Sequence, residues 1–149
     1  MATSAFMQIG NALNGWLLRS PLHGMMSGNT LLITVRGRKS GNAISTPVNY
    51  VRVGEDLSLT SVRDRQWWRN MRGGATVTLV LQGRERQGTA ALIEDPVALR
   101  AALADHLRAA GAMAKYLGAP LDASGNPAPE DVERLVRERV VVRVVLNRL

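Results

Sequence analysis

The chain has no cysteine, two histidines, six aromatic residues and only two lysines among nineteen basic residues, in a length of 149. The missing cysteine removes disulfide scaffolds, zinc ribbons, iron–sulfur clusters and thiol nucleophiles together. His23 and His106 lie 83 positions apart with no ligand spacing, so no histidine-built metal site is expected. Six aromatics are too few for a sheet studded with base-stacking rings. No run approaches the roughly 18 apolar residues that span a bilayer. The first basic residue is Arg19, so the basic start of a signal peptide is lacking and the cytoplasm is the expected compartment. There is no Ser–His–Asp order, paired-carboxylate motif, Walker sequence or GxGxxG. Any reaction must then rely on a bound cofactor for its hard chemistry.

What is present describes an ordinary globular chain. Apolar residues make up 46% and charged residues 21%, which fits one domain with a sizeable core. The formal net charge is +7, carried almost wholly by seventeen arginines. That balance favours an anionic partner: nucleic acid, a membrane surface or a phosphorylated small molecule. The arginines are scattered rather than run together, so nucleic acid is not the expected partner.

Periodicity organises the chain into one domain over residues 1–149. Phe6, Ile9, Leu13, Trp16 and Leu17 recur at helical steps, predicting an amphipathic helix within residues 1–20 that Ser20-Pro21 ends. Barrel strands are predicted between 30 and 94: TLLITVR (30–36), AISTPVNYVRV (43–53), LSLTSV (57–62), ATVTLVLQ (75–82) and ERQGTAALIE (85–94). A short helix over 63–74 interrupts them, and Gly83-Arg84 reads as the last hairpin turn. Helices follow between 96 and 139, the first carrying Leu99, Leu103 and Leu107, and a last strand runs over 140–147. Short hairpin connections exclude a parallel sheet. The predicted class is mainly β with flanking helices (α+β), an antiparallel sheet closing into a small barrel with helices outside.

Three segments could carry chemistry. In GRKSG (37–41), Arg38, Lys39 and the Ser40 hydroxyl sit between two glycines, and the Gly41 amide is placed to join an anion nest. The same turn also reads as a solvated hairpin tip. In Ser61–Gly74, Trp67 and Trp68 point about 100° apart on a helix; one packs on the barrel and the other is placed to stack on a planar ring, unless both are core. Pro47, in Thr46-Pro47-Val48-Asn49-Tyr50, breaks a strand ladder and either receives a flat cofactor or protects an edge. His106, beside Leu103 and Leu107, reads as structural or exposed, and Tyr116 as a proton donor at a site mouth or a structural residue.

At GRKSG, TPVNY and WWRN followed by RGGATVTLVLQGR, the chain resembles the deazaflavin (coenzyme F420)-dependent nitroreductase and quinone reductase family of the flavin/deazaflavin oxidoreductase superfamily. The resemblance covers roughly residues 18–95, with three motifs in order. It implies a split β-barrel of the FMN-binding-like kind. It implies that Arg38, Lys39 and Ser40 hold the coenzyme phosphate. It implies that Ile44, Ser45, Thr46, Pro47, Val48 and Asn49 lie along the deazaflavin. Thr60, Ser61, Val62 and Arg63, with the turn of Gln66, Trp67, Trp68, Arg69 and Asn70, would complete the pocket. Where many members carry a Ser–Lys–Gly–Gly-like turn, this chain reads SVRDRQ, with Arg63 and Arg65 supplying charge. The tyrosine-rich wall of some nitroreductases is reduced to Tyr116. The expected activity is F420-dependent hydride transfer to a small planar electrophile such as a quinone, enone or nitro compound. The alternatives are an FMN-binding oxidoreductase and a non-catalytic ligand- or nucleic-acid-binding protein. A homodimer is expected, and the N-terminal helix offers a peripheral membrane contact if it does not pack on its own barrel.

Overall fold

The computed structural model describes residues 30–37 and 39–148. The expected N-terminal helix, His23 and Arg38 lie outside the described residues. Six strands form: β1 (Thr30–Arg36), β2 (Ala43–Val53), β3 (Asp56–Val62), β4 (Ala75–Leu81), β5 (Arg84–Ile93) and β6 (Arg139–Leu146). They close into a barrel in the order β1-β2-β3-β6-β5-β4, with every neighbouring pair antiparallel. This is the antiparallel barrel that the alternation and hairpin spacing predict, and it agrees with the split barrel that the resemblance implies.

Side-chain alternation fills the barrel. Leu31, Ile33 and Val35 of β1, Leu57 and Leu59 of β3, Val77 and Leu79 of β4, and Val140, Val142 and Val144 of β6 share one buried cluster. The outer face of β6 is also covered. Val141 packs with Leu99, Leu103 and Leu107 of helix α1 (Pro96–Ala110) and with Val132, Leu135 and Val136 of helix α2 (Pro129–Glu138). Burial on both faces explains why β6 reads RVVVRVVL rather than alternating strictly. Each fully buried leucine contributes about 1.5–3 kcal/mol, so the every-fourth-residue stripe of α1 fixes that helix against the barrel. The helix starts where Asp95 accepts a hydrogen bond from the Ala98 amide, with Pro96 at the first helical position.

Apart from one-residue shifts at strand ends, three boundaries differ from the sequence reading. The β4–β5 turn is Gln82–Gly83, not Gly83–Arg84: Leu81 pairs with Arg84, and both turn residues take the positive φ (51° and 78°) of a tight two-residue hairpin turn. The segment 63–74 holds only a 3₁₀ helix, Trp67–Met71. A second 3₁₀ helix, Gly111–Leu117, extends the end of α1.

The register of β2 positions the rest. Its first seven residues, Ala43–Asn49, pair with β1, whereas only Tyr50–Val53 pair with β3. Continuing the second register would place Pro47 opposite Val62, but that pairing is absent. Thr60–Val62 instead keep their partners on β6. Pro47 has no N–H to give, so the ladder parts where the proline would be asked to donate. The two strands splay over these residues.

Closure between β5 and β6 depends on Gly88. A Cβ there would lie 2.7 Å from the Val145 carbonyl oxygen and 3.0 Å from Val144 Cγ1. Gly88→Ala is expected to destabilise the fold by about 1–3 kcal/mol, as overpacking does. Urea unfolding reads this as a lower midpoint, whereas Thr89→Ala, exposed on the same strand, should move it by less than about 0.5 kcal/mol. Equal midpoints for the two variants would contradict this account of the seam.

Candidate functional site

The splay opens a cleft of about 450 Å³. One wall is β2 from Pro47 to Val51, and the other is the loosened end of β3, Thr60–Val62. Arg65 and Trp67 close one side. His106 and Ala110 of α1, with Met113, Tyr116 and Leu117 of the following 3₁₀ helix, form the roof. Thr30, Tyr50 and Arg139 complete the lining.

Hydrogen bonds hold the walls. The Trp67 indole N–H donates to Ser61 Oγ at 3.1 Å, and Ser61 Oγ donates to the Val62 carbonyl at 3.1 Å. Trp68 Nε1 donates to the same carbonyl at 3.2 Å. The tryptophan pair thus ties the 3₁₀ helix to the free end of β3, compensating for the missing β2 partner. Arg65 Nη2 donates to Thr46 Oγ1 at 3.1 Å, and Arg139 Nη1 donates to Thr60 Oγ1 at 3.0 Å. Burial pushes the Arg139 guanidinium below its ordinary value, with Arg134 adding to the effect and Glu138 opposing it. Among the described residues no carboxylate lines the cleft, and the charges in its lining are those of Arg65 and Arg139. Among the described residues no group of three or more metal-ligating side chains occurs.

The structure brings some of the expected residues together. Pro47, Val48, Asn49, Thr60, Ser61, Val62, Trp67 and Tyr116 all line the cleft. Thr46 reaches it through Arg65. Ile44 and Ser45 lie further along β2 toward the 37–42 turn, and Ser45 Oγ pairs with Thr34 Oγ1 at 2.7 Å. Lys39 and Ser40 sit in that turn. From Ala43 to Pro47 is four residues of extended chain, about 13 Å, so the turn and cleft are two stations along one strand edge.

Others point elsewhere. Both tryptophans belong to the barrel core, and Trp68 is covered by the guanidiniums of Arg69 and Arg72, each 5.4 Å from its ring. Arg63 turns toward α2 and donates to the Val136 carbonyl at 2.9 Å. Asn70 donates to the Trp67 carbonyl, while Gln66 and Arg69 are exposed. The Gly41 amide does not join an anion nest: it donates to Gly37 O at 2.8 Å, and the Asn42 amide donates to Ser40 Oγ. Among the described residues of the turn, Lys39 is the cation, and it has no partner there.

Sequence reasoning missed the roof and the far wall. Met113 and Leu117 belong to a segment whose 3₁₀ geometry has no apolar period to read. Arg139 reaches the cleft only because β6 pairs with β3, in the register Val62↔Arg139. His106 is off the leucine stripe by one position, which was its only visible signal.

His106 is buried, at 5% exposure, with Nδ1 2.8 Å from Ser58 Oγ. Burial, reinforced by the charges of Arg143 and Arg139, lowers its pKa from 6.5 to about 4. The unfolded chain therefore binds this proton more readily than the folded one. The stability tied to His106 is fully present above the unfolded value and is lost as pH falls from 6.5 toward 4. The expected slope is at most about 1.4 kcal/mol per pH unit. Urea midpoints at pH 7 and pH 4.5 check this: His106→Gln should lose part of the decline that the unaltered protein shows. Identical declines would remove His106 from the acid response.

The fold is a small closed antiparallel barrel with a cationic cleft at one strand edge. A family model described as F420H(2)-dependent quinone reductase matches residues 15–117, more than two thirds of the chain, and the chain belongs to that family. It is a deazaflavin-dependent reductase, and its coenzyme is F420. No curated protein is significantly similar in sequence. Among solved structures, a conserved hypothetical protein from Mycobacterium tuberculosis aligns at TM-score 0.53 and 18% identity, over 93% of this chain and 80% of its own. A protein from Clostridium acetobutylicum related to general stress protein 26, of the pyridoxinephosphate oxidase family, aligns at TM-score 0.51 and 10% identity, over 89% and 84%. An F420 reductase aligns at TM-score 0.46 and 15% identity, over 87% and 95%. At these identities the first two alignments describe the barrel fold. No helix among the described residues is long and apolar enough to cross a membrane.

Proposed function

We propose that the cleft between β2 and β3 is where the coenzyme and its electron acceptor meet, and that the acceptor is a small planar electrophile, a quinone before an enone or nitro compound. The observation that carries this reading is the edge of β2 over Ala43–Asn49, which no described strand pairs on the β3 side. An unpaired edge offers backbone donors and acceptors in a plane, which suits the rim of a flat heteroaromatic ring.

The residues present suit this coenzyme in charge as well as shape. The lining holds two guanidiniums and no carboxylate. Lys39 stands in the turn at the far end of the same edge, where a cation suits a coenzyme phosphate. In this reading Pro47–Asn49 hold the ring, Thr46 and Arg65 hold the polar chain, and Lys39 with the Ser40 hydroxyl hold the phosphate. Reduced F420 supplies a hydride when bound. The protein supplies orientation, exclusion of water and a cationic field. Val48, Val51, Met113 and Leu117 give the acceptor apolar surfaces, and Tyr116, exposed at the mouth, stands where a proton can be handed in from solvent.

Titration with oxidised F420, followed by tryptophan fluorescence, tests this directly. Trp67 lies in the cleft wall, so saturable quenching at low micromolar coenzyme is expected. Lys39→Ala should weaken binding about two- to fivefold, the effect of an exposed ion pair. Arg65→Ala, which also loses the Thr46 bond, should weaken it about tenfold. Both variants should keep the circular dichroism of the folded chain. Absence of saturable quenching would overturn the assignment, and unchanged affinity in Lys39→Ala would remove the 37–42 turn from the phosphate site.

A further inference from the structure

The Ser58–His106 pair is not explained by folding. Ser58 lies on the outer face of β3 and is fully buried beneath α1. Around it, the helix–barrel layer is built from leucine, valine and alanine. Replacing both members of such a pair by apolar residues of similar shape is often neutral or stabilising. The pair does, however, determine how the imidazole meets the cleft.

The proton inventory is short. Ser58 Oγ has one hydrogen-bond partner among the described residues, His106 Nδ1. A buried hydroxyl proton left unpaired is costly, and Nδ1 is the acceptor available to it. Ser58 therefore donates, Nδ1 accepts, and the ring proton sits on Nε2. Nδ1 faces β3, so Nε2, on the opposite edge of a ring that lines the cleft, is the nitrogen left for a ligand. Nε2 has no partner among the described residues. The charges acting on the ring are Arg143 and Arg139 of β6, both cationic, and the cleft adds Arg65 and the phenol of Tyr116. They oppose a second ring proton, so the imidazole presents a neutral N–H at physiological pH.

We propose that His106 is a further catalytic residue, whose Nε2–H donates to the carbonyl-type oxygen of the electron acceptor as negative charge develops there. This rests on the reading of the cleft as the site of reduction. When hydride adds to the acceptor's carbon, the C=O π pair moves onto oxygen. The reduced coenzyme would supply that hydride and so become oxidised, and a proton from water would complete the product. A donor already aimed at that oxygen stabilises the transition state more than the ground state. A neutral imidazole does so without reorganisation or loss of its proton. The acceptor class this selects is one with oxygen at the end of the conjugated system, quinones and enones.

Three measurements test it. Long-range ¹H–¹⁵N spectra of the coenzyme-free protein at pH 7 should show His106 with its proton on Nε2, and Ser58→Ala should shift the population toward Nδ1–H. An Nδ1–H tautomer in the unaltered protein overturns the proposal. Binding of 4-nitrophenol to the coenzyme-free protein, read at the phenolate absorbance, should lower the phenol's pKa by about a unit. That corresponds to a tenfold preference for the anion. His106→Leu should abolish the preference, and a preference that survives overturns the proposal. In the complete reaction with a benzoquinone, His106→Leu should lower kcat about 100-fold, the lower end of the scale of a lost oxyanion donor. F420 affinity should stay within twofold, and His106→Gln, which keeps an N–H, should recover most of the loss. A glutamine variant as slow as leucine overturns the proposal. If the leucine variant does not fold, the tautomer and the glutamine variant still decide it. Failure of F420 to bind the unaltered protein would instead overturn the cleft assignment, leaving the tautomer measurement as a separate result.

Discussion

The structure turns on one absent hydrogen-bond donor. Pro47 sits mid-strand in the longest strand of the barrel, and β2 is divided around it between two partners. A fully zipped barrel of this size would be filled by side chains and offer no cleft. Parting the ladder beside the proline leaves a backbone edge on one side and the loosened end of β3 on the other. The cost of that opening is offset nearby. Trp67 and Trp68 bond to Ser61 and Val62, and Arg139 bonds to Thr60, so the three residues that lose β2 are held from behind.

The net charge of +7 is distributed by the same architecture. Arg72 pairs with Glu94, Arg100 with Glu133, Arg108 with Asp105, and Arg134 with Asp131 and Glu138. These pairs are exposed or partly exposed, and each is worth little to stability. Their effect is to neutralise cations on the outside of the helices. Arg65 and Arg139 are different. Their described partners are neutral hydroxyls, so their charge is directed into the cleft rather than quenched. The composition alone could not separate these two groups of arginines.

Much of the barrel is legible in the sequence because local rules act alone there. Period-two alternation, the glycine-marked turns and the leucine stripe of α1 each reflect contacts between residues near in sequence or faces with one solvent side. One wall of the cleft is legible for the same reason: Pro47 marks the break, and Ser61 and Trp67 lie close after it. The rest is set by pairing at a distance. Nothing local to Arg139 says that it will face Val62, and nothing local to His106 says that Ser58 will lie beneath it. The turn at 37–42 shows a different failure. Its residue types suit an anion, but the backbone spends the Gly41 amide on its own closure.

The double burial of β6 has a consequence for how the molecule matures. This strand is the last of the six in chain order, yet it joins β3 to β5 and carries both hydrophobic clusters, one on each face. During synthesis, β1 to β5 can form their hairpins early, since each pairs with a near neighbour in sequence. The sheet nevertheless stays open, with β3 and β5 presenting bare edges, until Arg139–Leu146 emerges. Until then the helices lack the Val141 face of β6, and α1 has only the outer side of the earlier strands, at Ser58 among others, to dock on. Arg139 enters the cleft in the same event, so the chain gains a closed barrel and a fully lined cleft in a single late step.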